Sequence, residues 1–233
     1  MLPKINRGTL ADKVTEQLLE YIDDQHLRPG DLLPSETSLS TSFGVSRPVV
    51  REALKHLEGK GVLDIINGKG ALIRPIDSDP LRLFFQRAMQ MERSTLLELM
   101  EVRKGLEVQA AMLAAQRREA KDIEDLRRVV QAMGDHIADP EAFTQLDVEY
   151  HLRIASASHN TMLVYLVESI RDVFLSTIST GLQSRGSNLR LDIIQNTHET
   201  LLQTIEEGDV EAAMKIMALH FDEAIAAITN AEI

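Results

Sequence analysis

The chain has 233 residues, is 44% hydrophobic, contains no cysteine and carries a formal charge of −11. That length suits one large domain or two small ones, and the missing cysteines exclude a disulfide framework, a thiolate metal site and a cysteine nucleophile. The opening MLPKINRGTL is not an apolar signal segment, and no run reaches membrane-spanning length, so the expectation is a cytoplasmic protein with no membrane partner.

In chain order, residues 9–23 read as an amphipathic helix with Leu10, Val14, Leu18 and Ile22 as core positions. Leu27-Arg28-Pro29-Gly30 is a turn. A short helix is predicted from Glu36 to Phe43, with Leu39 and Phe43 apolar. Gly44-Val45-Ser46-Arg47-Pro48 then reads as a tight turn and a helix start. Ser46 is placed to cap that helix through its hydroxyl, and Pro48 sits in the first turn, where a missing N–H costs nothing. Arg47, Arg51 and Lys55 form a basic stripe at four-residue spacing, beside an apolar one of Val50, Ala53, Leu54 and Leu57. Two helices around a tight glycine turn, the second bearing a basic stripe, is the helix-turn-helix pattern. Val62–Ile65 and Ala71–Arg74 read as short strands joined at Asn67-Gly68, with Lys69 at the tip. Together these elements make a winged helix.

The acidic total does not oppose DNA binding. Residues 1–75 hold ten Lys and Arg against ten Asp and Glu, so the entire deficit lies beyond them. Duplex binding needs a local basic footprint rather than a basic average. Arg47 and Arg51 are the candidates for base-edge or backbone contacts, Ser46 and Arg28 for phosphates, and Gly68 and Lys69 for the wing.

Pro75-Ile76-Asp77-Ser78-Asp79-Pro80 reads as a solvated, semi-extended linker. From Leu81 the pattern is helical throughout: Leu81 to Glu92; a helix capped by Ser94 and running to about Gln116, with Leu96, Leu99, Leu106 and Ala110 as its stripe; Ile123 to about Ile137; a helix opened by Asp139-Pro140 and ending near Ser158; Met162 to about Gln183, broken by Ser184 to Ser187; Leu189 to Glu207; and a last helix capped by Asp209. The expected fold is mainly α: an N-terminal winged helix-turn-helix over residues 1–75, with a small β-hairpin wing, and a C-terminal all-α helical bundle over residues 81–230.

Asp147 and His151, four apart, share one helix face, while His198 and His220 each sit in the middle of a later helix. One carboxylate and three imidazoles suit a divalent ion: zinc first, with nickel, manganese or iron as alternatives. Buried core histidines satisfied by a helix partner would give the same pattern. His159 reads as peripheral, and His26, His56 and His136 as surface positions. Arg103 has two readings: an ion pair with Glu107, its i+4 neighbour, or a fork onto the carboxylate of a small ligand.

Pro29-Gly30, Leu33-Pro34-Ser35-Glu36, Phe43 to Arg47, Val50 to Leu54, Leu57-Glu58, Gly61 and Gly68-Lys69-Gly70 together resemble the N-terminal domain of GntR-type bacterial transcription factors. One position departs: the family usually has Arg after the Ser-Glu pair, to hold the DNA backbone, where this chain has Thr37. The frame Glu98 to Glu107, Ala110-Ala111 and Ala114-Ala115, with Asp147 to His151, Ala155 to Asn160, His198 to Leu202, Gly208-Asp209, Ala212-Ala213 and Met217 to His220, is similar to the FadR-type C-terminal domain, called FCD. The resemblance implies a divalent metal on Asp147, His151, His198 and His220, and an effector site that includes Arg103 and Asn160. It also implies a homodimer on a pseudo-palindromic double-stranded DNA operator, acting as a repressor released by a carboxylate-bearing small molecule. The rival readings are a metal-dependent enzyme with an accessory DNA module, for which Glu199 is the nearest candidate base, and a plain metal sensor.

Overall fold

Thr9 and Asp12 open the first helix with reciprocal bonds: the Thr9 hydroxyl accepts the Asp12 N–H at 3.1 Å and the Asp12 carboxylate accepts the Thr9 N–H at 2.7 Å. This capping box satisfies two donors that a helix start leaves free. The structure is a computed structural model describing residues 9–91, 95–182 and 191–231. The helix, α1 (Leu10–Asp24), turns Ala11, Val14, Thr15 and Leu18 inward. Leu10, expected in the core, is 53% exposed. The reason is geometric: steps of four residues overshoot a full turn by about 40° each, so a stripe at that spacing walks off the buried face.

The other elements of this unit follow closely. Helix α2 (Glu36–Phe43) is capped by Ser35 and closed by Gly44, whose positive φ of 64° ends it. Helix α3 (Arg47–Gly59) buries Val50, Ala53, Leu54 and Leu57 against α1 and α2. Ser46 occupies its cap position, but its side chain makes no capping bond, contrary to the sequence expectation. Strands β1 (Leu63–Ile66) and β2 (Gly70–Ile73) pair antiparallel, with Leu63 opposite Ile73 and Ile66 opposite Gly70. Each is one residue away from its sequence expectation, because Val62 donates back to the Leu57 carbonyl at 3.0 Å and so belongs to the helix exit. The segment after the Pro29-Gly30 turn also pairs with β2: Gly30 and Asp31 exchange bonds with Ile73, and Leu33 donates to Ala71 at 2.8 Å. No period-two pattern marks so short an edge, and sequence reading missed it.

The predicted linker is more structured than a solvated tether. The Arg74 guanidinium donates to Asp77 at 2.6 Å and to Asp79 at 2.9 Å, Asp77 accepts the Asp79 N–H, and Ser78 is buried. The chain divides at this point into two compact units, Met1–Pro80 and Leu81–Ile233.

The remaining helices are α4 (Asp79–Met91), α5 (Thr95–Arg117), α6 (Ala120–Asp135), α7 (Pro140–Ala157), α8 (Thr161–Leu182), α9 (Leu191–Glu207) and α10 (Val210–Ala231). Asp139 caps α7 by accepting from Glu141 and Ala142, and Asp209 caps α10 by accepting from Ala212. The proposed Ser94 cap and the Ser184–Ser187 break lie outside the described residues. Helix α10 runs along α5; α7 packs on α5, α6 and α8; α9 packs on α5, α6 and α10. Their inward faces join in one apolar cluster that includes Met100, Phe143, Tyr150, Ile154, Leu201, Met217 and Phe221. Among the described residues, no helix is long and apolar enough to cross a membrane.

With its own core, the second unit is expected to fold alone, and its acidic surface gives phosphates no footprint. A chain starting at Leu81 should show helical circular dichroism and no affinity for duplex DNA. A disordered spectrum, or retained binding, would contradict the division at Pro80.

Candidate functional site

In the first unit, α3 presents its basic stripe to solvent, with Arg47, Arg51 and Lys55 all exposed. Sequence reading missed the partner they meet. Glu36, at the start of α2, takes two bonds from Arg51, at 3.1 Å from Nε and 2.8 Å from Nη2, and lies 3.7 Å from Arg47 Nη2. The Arg51 bonds hold the Glu36 carboxyl below its usual range. Arg51 keeps 56% of its side chain exposed. An ion pair this exposed contributes little to stability, so it can be exchanged for a nucleic-acid contact at small cost. Ser46, free of any capping bond, keeps its hydroxyl available at the α3 N-terminus. Gly68 turns the hairpin with a φ of 78°, and Lys69 beside it is exposed. Arg28 is exposed on the turn that Gly30 fastens to β2.

In the second unit, four side chains from three helices converge. One ligand-type atom each from Asp147 and His151 on α7, His198 on α9 and His220 on α10 all lie within 4.8 Å of one another. His151 Nε2 is 3.2 Å from His220 Nε2, His198 Nε2 is 3.4 Å from Asp147 Oδ1, and His151 Nε2 is 3.9 Å from the same oxygen. Donors about 2.0–2.1 Å from a tetrahedral zinc stand roughly 3.3–3.4 Å apart, so the 3.2 and 3.4 Å spacings match a ligand cage and the others are wider. His198 is fully buried, and among the described residues neither of its ring nitrogens has a hydrogen-bond partner. A buried core histidine satisfied by a helix partner would not look like this. The residues therefore fit a divalent cation.

Electrostatics point the same way. Burial, reinforced by the nearby His220 and His151, pushes His198 well below its ordinary pKa. Burial with His151 nearby takes His220 to about 3. Both rings are thus neutral near pH 7, the state that donates to a metal. Burial pushes the Asp147 carboxyl upward, and its side chain keeps 21% exposure. Asp147 and the partly exposed His220 give the site its open side. The Tyr150 ring lies 4.8 Å from that of His198, and its hydroxyl donates to the His198 carbonyl at 3.0 Å.

Behind the cluster lies a residue that sequence reading had not placed at the site. Glu107 on α5 is in ion-pair contact with His151 Nδ1 and accepts from Arg103 Nε at 2.9 Å. Burial alone would raise the Glu107 carboxyl, yet Arg103 and His151 bring it down to about 2. His151 is also buried, but the Glu107 and Asp147 carboxylates hold its pKa above the ordinary value. Arg103, only 5% exposed, makes the ion pair of its first reading and lies 5.1 Å from the centre of the Phe221 ring. The i+4 spacing of Arg103 and Glu107 was the available signal.

The remaining candidates have local partners or lie at the surface. The Asn160 side-chain oxygen caps α8, accepting from Met162 and Leu163. His159 meets Asp122 at 2.8 Å rather than the cluster. Glu199 accepts from Gln195 and is exposed, so its place beside His198 in sequence is not a place beside the ligands. His26, His56 and His136 are exposed.

Residues 10–73 match the family model "Bacterial regulatory proteins, gntR family", and residues 98–223 match the FCD domain. The chain belongs to the GntR family and carries an FCD domain. This GntR regulator is 30% identical over 203 residues to the HTH-type transcriptional regulator LutR of Bacillus subtilis, covering 85% of this chain and 92% of that one. It is 29% identical over 222 residues to the putative L-lactate dehydrogenase operon regulatory protein of Escherichia coli, covering 91% and 83%. Its fold matches the solved structure of Streptococcus agalactiae GntR with a TM-score of 0.74 at 24% identity, covering 94% of this chain and 100% of that one. It is a DNA-binding regulator of transcription, not an enzyme.

Replacing Arg51 by Ala should remove the main basic group of the α3 stripe. Binding to duplexes selected by the wild type from a randomised library should weaken by about 1–3 kcal/mol, with relaxed preference at one base position. Unchanged affinity in moderate salt would contradict the assignment of α3 as the reading helix.

Proposed function

We propose that this GntR regulator is a homodimeric repressor whose operator binding is controlled by a small organic acid bound beside a divalent metal in the FCD domain. It acts in the cytoplasm on a pseudo-palindromic operator, one winged helix per half-site. Arg47 and Arg51 read or fasten the major groove, Ser46 and Arg28 hold phosphates, and Gly68 and Lys69 carry the wing contact. The single observation behind the control mechanism is the convergence of Asp147, His151, His198 and His220.

Asp147, His151, His198 and His220 would hold the ion, with zinc the first choice for this ligand set and nickel, manganese or iron also compatible. When bound, such an ion supplies Lewis-acid positions for carboxylate and hydroxyl oxygens. Arg103 supplies positive charge to the same region. Asn160 contributes less, since its side-chain oxygen is spent on the α8 cap. A 2-hydroxy acid has both oxygens on adjacent carbons, and the relative named for the L-lactate dehydrogenase operon supports that class. An effector shifts operator affinity only through unequal affinity for two arrangements of the dimer.

His198→Ala tests the reading, because the first unit has its own core and should survive the change. The variant is expected to lose bound metal, to bind its operator as the wild type does, and to ignore L-lactate and related 2-hydroxy acids in a gel-shift titration. Full metal occupancy, or an unchanged response, would reduce His198 to a core residue. Release of the operator by metal alone would favour the plain sensor.

A further inference from the structure

Burying an ion pair is costly, and a well-packed apolar pair in its place is often as stable or more so. The Arg103–Glu107 pair on α5 has that cost, with side chains 5% and 2% exposed. Its placement gives it a second use. Glu107 divides its two oxygens between two helices: Oε1 takes the Arg103 Nε–H on α5, and Oε2 meets His151 Nδ1 on α7. Arg103 is held in turn by the face of Phe221 on α10, the residue next to His220.

We propose that Glu107 is a positioning residue for the metal centre, fixing His151 with its proton on Nδ1 so that Nε2 presents its lone pair to the ion. A neutral imidazole carries one proton, and whichever nitrogen holds it cannot coordinate. The carboxylate at Nδ1 settles that choice, because only an N–H can donate to it. The opposite nitrogen, Nε2, is the one facing His220 and Asp147. Among the described residues His198 has no comparable anchor: the carboxylate it meets is Asp147, itself a member of the cluster, 3.4 Å from Nε2. The orientation of the cluster therefore rests on the string Arg103–Glu107–His151. Carboxylates placed behind ligating histidines in this way also raise the basicity of the ring, and their loss typically costs 10–100-fold in metal affinity.

This inference rests on reading the cluster as a metal centre, and the test separates the two. The full-length protein, stripped of metal, is titrated with Zn2+ against a chromophoric chelator. Wild type should bind, and Glu107→Gln should bind about 10–100-fold more weakly while keeping its helical spectrum. In zinc-loaded wild type, NMR should show an exchange-protected, downfield ring N–H at His151 Nδ1, and the variant should lose it. A role in stability alone would lower the melting temperature of the metal-free protein and leave both readouts in place. If Glu107→Gln fails to fold, the double variant Arg103→Met/Glu107→Gln buries no charge and carries the same expectation. Wild-type zinc affinity in the folded variant, or no protected His151 N–H in the wild type, overturns the proposal and leaves the metal centre standing. A wild type that takes no Zn2+ removes the metal reading, and this proposal with it.

Discussion

Two ring nitrogens of one fully buried histidine have no hydrogen-bond partner among the described residues, and the organisation of the C-terminal unit follows from that constraint. Leaving a polar atom buried and unpaired costs about 1–3 kcal/mol. His198 carries two such atoms. The surrounding helices do not relieve the cost with a donor of their own; they bring further imidazole nitrogens and a carboxylate oxygen to the same place. That arrangement is unfavourable for an empty core and favourable around a cation. Helices α7, α9 and α10 supply the four ligand-type side chains, and α5 supplies the Glu107 carboxylate in contact with one of them. Tyr150 pins the backbone behind His198. The contacts that build the bundle core are thus also those that bring these four side chains together.

The N-terminal unit works under a different constraint. Its reading helix must be folded and still have cations to give away. Exposed ion pairs meet that need: Glu36 keeps Arg51 and Arg47 ordered on the surface, yet these pairs are weak enough to be exchanged for DNA. The hydroxyl of Ser46, unspent on its own helix, belongs to the same economy of available groups. The first 75 residues are even in charge, and the whole acidic excess lies in the remainder, where phosphates are repelled.

Much of this was legible in the sequence because the strongest signals are local. The α3 stripe, the glycine turns at Gly44 and Gly68, and the Asp139-Pro140 start each depend on neighbours within four residues, and all appear where the sequence places them. The ligand set was legible as a pattern on three helices, though neither spacing nor periodicity could show that the side chains converge. What was lost was long-range or geometric. Glu36 and Arg51 are fifteen residues apart, Glu107 and His151 forty-four, and no local period links them. The edge formed by residues 30–33 depends on β2, forty residues further on. Leu10 failed because a four-residue repeat drifts around a helix, and Ser46 because a cap position does not oblige the side chain to cap.

The central claim is that the cluster is a cation site. The most direct measurement is an anomalous difference map from crystals of the full-length protein grown with zinc and recorded on both sides of the zinc absorption edge. The account predicts one strong peak enclosed by Asp147, His151, His198 and His220, at bonding distance from all four. A map with no peak there, or with zinc only at exposed histidines such as His26 or His136, would contradict it.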